Sequence, residues 1–177
     1  MPPAQAFAQK LNEQIANEFA AHQQYVACAV YYDSQALPQL TRFFYRQALE
    51  ERGHAMMMVQ FLLDTGAEVT TPGVVEPRSR FADLVEPLAL ALDQEQRVSQ
   101  QINALAATAR EAGDYTSEQF VQWFIKEQIE EVATMSALLR VAERSREDAA
   151  NIEDFLAREH PGGEAGDPTA PQAAGAG

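Results

Sequence analysis

Four long stretches of the chain place apolar residues alternately three and four positions apart, the spacing that lays one inward stripe along a helix. The first, about residues 4–33, carries Leu11, Ile15, Glu18, His22, Tyr25, Ala29 and Tyr32 on that stripe. The second, about residues 38–66, opens on Pro38, which suits a first helical turn, and stops at Gly66. Its stripe is Phe44, Gln47, Glu51, His54, Met58 and Phe61. The third, about residues 81–111, aligns Leu88, Leu92, Glu95, Ser99, Ile102 and Ala106, with Pro87 in its first turns. After the break at Gly113 and Asp114, the fourth, about residues 115–144, aligns Val121, Phe124, Gln128, Glu131, Met135, Leu138 and Ala142.

A fifth, shorter helix is predicted over about residues 146–159, with Ala149, Ile152, Phe155 and Leu156 on one side. It is too short to be stable alone and finds no seat among four long helices, so its apolar face is expected to meet other copies of the chain. From Ala67 to Arg80 the pattern lapses at Thr70, Thr71, Pro72, Gly73 and Pro77. A hairpin needs fewer residues, whereas a chain climbing the height of a bundle needs about this many. The expectation is an all-α, up-down-down-up four-helix bundle with a long crossover. Residues 1–160 form one domain in this reading, and 161–177, rich in Gly, Pro and Ala without periodicity, form a flexible tail able to dock a partner.

The stripes are interrupted by polar residues in a regular way. Glu51 and His54 are i and i+3 on one helix face, so a carboxylate oxygen and an imidazole nitrogen can reach one metal ion. Glu18 precedes Glu51 by 33 residues, and Glu95 precedes Gln128 by the same 33; His54 and Glu131 follow three positions later. The two halves repeat with an offset of 77, each a helical hairpin with one acidic residue on its first helix and an i, i+3 pair on its second. Packing them brings Glu18, Glu51, His54, Glu95, Gln128 and Glu131 to one level. Burying four carboxylates without positive charge costs several kcal/mol each, which two divalent cations would offset. Carboxylate-rich bundle sites of this kind take iron and react with O2.

Composition narrows the partners. Acidic residues outnumber basic ones 26 to 13, a formal net charge of −13 that attracts cations and repels nucleic acid and anionic membranes. No run approaches the roughly 20 apolar residues of a membrane span, and no basic and apolar leader opens the chain. Cys28 is the single cysteine, read as a small buried hydrophobe. A soluble, cytoplasmic protein is expected.

The segments N-E-F-A-A-H-Q-Q-Y with Glu18 and Tyr25, E-E-R-G-H with Glu51 and His54, L-D-Q-E with Glu95, and W-F-I-K-E-Q-I-E-E with Gln128 and Glu131 resemble the ferritins, in helix order and crossover as well. The likeness covers residues 5 to about 159 and implies a ferritin-like bundle. It also implies a diiron ferroxidase centre that oxidises Fe2+ with O2 or peroxide, and storage of a ferric mineral core in a cage of twenty-four subunits. By the same resemblance, Glu50, Glu127 and Glu130 would hold a further iron beside the centre. Tyr25 and Trp123 would serve it as aromatic electron donors or hydrogen-bond partners, while Asp114 and Glu118 would lie near an acidic pore.

Haem-binding members of the group carry a ligating Met where this chain has Arg52, and a Glu and a His where it has Gln128 and Glu131. No haem is therefore expected, and the second metal should be held less firmly. Met56, Met57 and Met58 are read as packing, and His22 as a satisfied interior or interface histidine. The alternatives are a diiron oxygenase or peroxidase acting on another substrate, and a DNA-protecting mini-ferritin.

Overall fold

The structure, a computed structural model, describes residues 2–146, 148–160 and 167–175. Glu147 and residues 161–166 and 176–177, within the expected last helix and tail, lie outside the described residues. The helices are α1 (Gln5–Ser34), α2 (Pro38–Thr65), α3 (Glu86–Glu111), α4 (Tyr115–Arg144) and α5 (Ala149–Glu159), with no strand among the described residues. Helix α1 packs chiefly on α2, and α3 on α4, so each half is a hairpin.

The connection after α2 runs beside α1 in the same direction. The Asn12 side chain holds the carbonyl of Glu68 and the amide of Thr70, and the Gln24 amide holds both the carbonyl and the amide of Arg78. From Asn12 to Gln24 a helix rises about 18 Å, so this segment climbs much of the bundle before α3 starts. Tyr32, near the far end of α1, then receives it by donating to the carbonyl of Leu84 at 2.7 Å. Helix α3 therefore descends against α1 and α4 rises again, which is the up-down-down-up order expected.

Two boundaries differ from expectation. Helix α3 begins at Glu86, not near residue 81, because Asp83 turns the chain first: its carboxylate accepts from the amides of Val85 and Glu86 at 2.9 Å each. Helix α5 begins at Ala149, where Asp148 caps the amide of Ala150. Gly66 ends α2 in the left-handed region at φ 75°, as its position suggested. On the stripes, Leu62 and Ala91 are fully buried while Phe61 and Leu92 are half-buried, a shift of one position in each helix.

The apolar face of α5 does not wait for other copies of the chain. Ile152 and Leu156 are already fully buried in the same subunit, in a cluster with Tyr32, Leu40, Phe43, Leu138 and Ala142, while Phe155 is half-buried against it. Burial of two such side chains stabilises the fold by about 1.5–3 kcal/mol each. Glu153 adds a polar tie, accepting from the amides of Gln39 and Leu40 at 2.8 and 2.9 Å. Those are first-turn donors of α2, a helix with no side-chain cap of its own, so α5 closes an end of the bundle.

The core divides into two apolar clusters. One gathers Tyr25, Tyr32, Phe44, Met135 and Leu138; the other gathers Leu11, Ile15, Met58, Ile102 and Phe124. Between them lies the polar layer.

Candidate metal centre

Each of the six residues singled out by the repeat is buried: Glu51 and Glu95 are 0% exposed, Glu18 1%, His54 4%, Gln128 5% and Glu131 6%. Four helices deliver them, α1 and α3 with one acidic residue each and α2 and α4 with the i, i+3 pairs. Their depth follows from the stripes, since the residues one turn before and after each are apolar core or buried polar.

In the first hairpin, one ligand atom from each of Glu18, Glu51 and His54 can be chosen so that all three lie within 4.8 Å of one another. His54 Nδ1 is 3.6 Å from Glu51 Oε2, and its ring is flanked edge-on by Trp123 and Phe124, with centroids 5.7 and 5.8 Å away. Glu18 Oε2 and both oxygens of Glu51 are buried without a hydrogen-bond partner. Gln14, one turn before Glu18, donates to its other oxygen, Oε1, at 2.7 Å.

The second hairpin is more fully hydrogen-bonded. Tyr25 donates its hydroxyl to Glu95 across the bundle, so the phenol serves Glu95 and not the Glu18 of its own helix. The carbonyl oxygen of Gln128 accepts from Ser99 Oγ at 3.0 Å. Gln47 donates to Glu131 at 3.4 Å and, more closely, to Glu50. Glu95 Oε2 and Gln47 Oε1 remain without partners.

Electrostatics agree with the geometry. Burial, then the charge of Glu51, pushes Glu18 well above the usual carboxylate range; burial, then the charge of Glu95, does the same to Glu51 and Glu131. Glu95 is raised to about 7 by burial, with the Tyr25 hydroxyl opposing the shift. Without a cation, part of this layer must carry protons. A divalent ion reverses the preference by making the charged form the bound one. Hard oxygen donors plus one imidazole suit a first-row transition metal, and the unpartnered oxygens of Glu18 and Glu51 beside His54 could hold one.

Outside the layer, Glu50 and Glu130 are exposed and Glu127 is half-buried. Burial raises Glu127, and the charges of Glu130 and Glu50 add to the shift, so the three form one acidic group on the α2 and α4 side. Arg52 is exposed, and Met58 is fully buried in the core. His22 Nδ1–H donates to the carbonyl of Ala48 at 2.6 Å, pinning α1 to α2. Asp114 caps α4 through Ser117 and holds the amide of Ala4, and Glu118 pairs with Arg110 at 2.6 Å. Burial pushes the Cys28 thiol up to about 12.

Gln14, Gln47 and Ser99 touch the expected ligands, yet residue type gave them no role. The signal was there: each is polar and sits one turn from a carboxylate of the layer, Gln47 and Ser99 on an apolar stripe. Nor did the tail's composition predict that Asp167 would accept from Trp123 Nε1 at 3.1 Å, or that the amide of Ala174 would donate to the carbonyl of Met56 at 3.0 Å.

Comparison with known proteins places the chain. The Ferritin family, a ferritin-like domain, matches residues 8–145. The chain is 54% identical over 165 residues to the ferritin BfrB of Mycolicibacterium smegmatis, covering 93% of this chain and 91% of that protein. It is 32% identical over 139 residues to a bacterial non-heme ferritin of Staphylococcus aureus, covering 78% and 84%. Among solved structures, an open pore ferritin of Archaeoglobus fulgidus superposes with a TM-score of 0.83 at 26% identity, covering 88% of this chain and 98% of that one.

Proposed function

Because the chain belongs to the ferritin family and so to the proteins of iron storage, we propose that it oxidises Fe2+ with O2 or peroxide at a two-iron site inside each subunit and stores the ferric product as a mineral in a twenty-four-subunit cage. The observation that carries this reading is the set of buried, unpartnered oxygens on Glu18 and Glu51 beside His54, with a further one on Glu95. Such groups are costly in an apolar bundle unless a cation comes to them.

Iron is the substrate here. Glu18 and His54 hold one Fe2+, Glu95 and Glu131 the other, and Glu51, with both oxygens uncommitted, faces both. Gln128 completes the set as a neutral amide and a weaker ligand than a carboxylate. Glu50, Glu127 and Glu130 attract Fe2+ to the α2 and α4 side and offer a further site there. Tyr25, hydrogen-bonded to Glu95, is placed to supply an electron or proton. Two Fe2+ give one electron each; with two protons, O2 leaves as H2O2, and H2O2 leaves as two waters. No described helix is long and apolar enough to cross a membrane, and the reading places the protein in the cytoplasm.

Stopped-flow absorbance of the full-length protein mixed with Fe2+ and either O2 or H2O2 tests the chemistry. Iron retained per subunit and particle mass test storage. Rapid oxidation well above a protein-free control is expected; a rate equal to that control overturns the reading. Arg52 stands where haem-binding relatives place a Met, so haem supplied during expression should give no bis-Met absorption.

A second reading has one observation behind it. A groove of about 680 Å³ between α3 and α4, lined by Ile102, Ile125, Ile129 and Val132 among others, reaches Gln128 and Ser99. It is the apolar approach that an oxygenase acting on an organic substrate would need. Fe2+-dependent O2 consumption that requires an added organic compound would favour it.

A further inference from the structure

We propose that Gln14 is a positioning residue for Glu18, holding one carboxylate oxygen from behind and leaving the other aimed at the metal. The proposal rests on the two-iron reading of the site. Gln14 is 2% exposed on α1, one turn before Glu18, and its Nε2 donates to Glu18 Oε1 at 2.7 Å. The orientation of the amide is fixed from the other side, where Asn17 Nδ2 donates to Gln14 Oε1 at 3.2 Å. With its carbonyl taken, Gln14 can present only N–H to Glu18. Glu18 Oε2 stays buried and without a partner, and Glu18 offers a carboxylate oxygen within 4.8 Å of ligand atoms of Glu51 and His54.

The residue type fits the task. A Lys or Arg here would neutralise Glu18 and compete with the metal, and a carboxylate would repel it. An apolar side chain would strand Oε1 and let the carboxylate rotate. A neutral amide donor fixes the geometry and leaves the charge for the cation.

The repeat supports the assignment. The position equivalent to Gln14 in the second hairpin, 77 residues on, is Ala91, fully buried and without any donor. Glu95 is held instead by Tyr25. Each first-helix carboxylate thus has its own holder, Gln14 for Glu18 and Tyr25 for Glu95, and both holders lie on α1. Behind Gln14, a pocket of about 200 Å³ between α1 and α3 is lined by Lys10, Asn17, Gln101 and Leu105 among others. Water there can replace Asn17 as donor, which makes Asn17 the weaker partner.

The test is anaerobic titration of the full-length, assembled protein with Co2+, read by its d–d absorption bands. Wild-type protein should take up two classes of ion. Gln14→Met, of similar length but unable to donate, should lose about tenfold in affinity for the tighter class and shift its band, while the looser class stays unchanged. Asn17→Ala, altered at a half-exposed position, should lose about two- to threefold. Wild-type affinity and spectrum in Gln14→Met overturn the proposal, as does an equal loss of both classes, which means general loosening. If Gln14→Met does not assemble, an unchanged titration in Asn17→Ala overturns it instead. Wild-type protein that takes up no Co2+ removes the two-iron reading itself, and this proposal with it.

Discussion

The two hairpins carry the same pattern of ligand positions and treat it differently. In the first, Glu18 keeps one oxygen uncommitted and Glu51 keeps both, beside an imidazole, within 4.8 Å. In the second, Glu95 keeps one oxygen uncommitted while Tyr25 holds the other, Gln47 donates to Glu131, and Ser99 donates to the carbonyl of Gln128. Among the carboxylates of the layer, the first half thus leaves three oxygens without a partner and the second leaves one. In the two-iron reading proposed above, the single sequence repeat would give one tighter and one looser metal position.

The largest effects should come from breaking the tight half. Glu51→Ala or His54→Ala should slow rapid Fe2+ oxidation by about a hundredfold or more while leaving assembly intact, because each removes an irreplaceable donor. Glu131→Ala should cost less, about tenfold. Stopped-flow traces of the three variants rank them. Equal losses for His54→Ala and Glu131→Ala would erase the asymmetry, and wild-type rates in Glu51→Ala would remove the site.

Next comes the converse change. Gln128→Glu restores a carboxylate where the repeat places Glu51's counterpart, and should tighten the looser ion by about tenfold in an anaerobic Co2+ titration. Oxidised iron should then leave the site more slowly. An unchanged second affinity would show that the amide is not what weakens this half.

These comparisons also show how much of the site the sequence made legible. Spacing alone placed Glu18, Glu51, His54, Glu95, Gln128 and Glu131 at one level, because a helix stripe fixes direction and depth together. It could not show which of them would already be satisfied, since Tyr25 reaches Glu95 across the bundle, 70 residues away in sequence. The start of α3 was misplaced because Phe81, Leu84 and Val85 are apolar enough to continue its pattern, while Asp83 decides the turn by capping. The apolar face of α5 was legible, but not its cover. Periodicity says that a face must be buried, and only packing says against what.

The pH dependence should separate the empty site from the filled one. Glu18, Glu51 and Glu131 are raised well above their usual range and Glu95 to about 7, chiefly by burial. A carboxyl with a raised folded pKa binds more protons folded than unfolded, so the layer's contribution to stability falls as pH rises from about 4.5 to about 7 and beyond. Metal-free protein should therefore gain thermal stability on going from about pH 8 to about pH 6, to a greater extent than a Glu51→Gln, Glu95→Gln variant. Co2+ should release protons on binding at about pH 6.5 and fewer at about pH 8.5, which pH-indicator titration reads directly. No proton release at about pH 6.5 would mean that the carboxylates are already ionised in the empty layer.

The smallest expected effect lies at Ser99, whose hydroxyl donates to the carbonyl of Gln128 while that same hydroxyl also sits 2.9 Å from the carbonyl of Glu95 in its own helix. One hydroxyl hydrogen cannot serve both acceptors at once, so Ser99 holds Gln128 only part of the time. Ser99→Ala should free the amide oxygen to turn toward the metal, tightening the second Co2+ by about two- to threefold and leaving the first unchanged. The position is half-buried and the deleted atom small, so thermal stability should move little. A weaker second ion in Ser99→Ala would reverse the argument: the hydroxyl would then be orienting Gln128 for the metal, and the looseness of this half would come from the amide's missing charge alone.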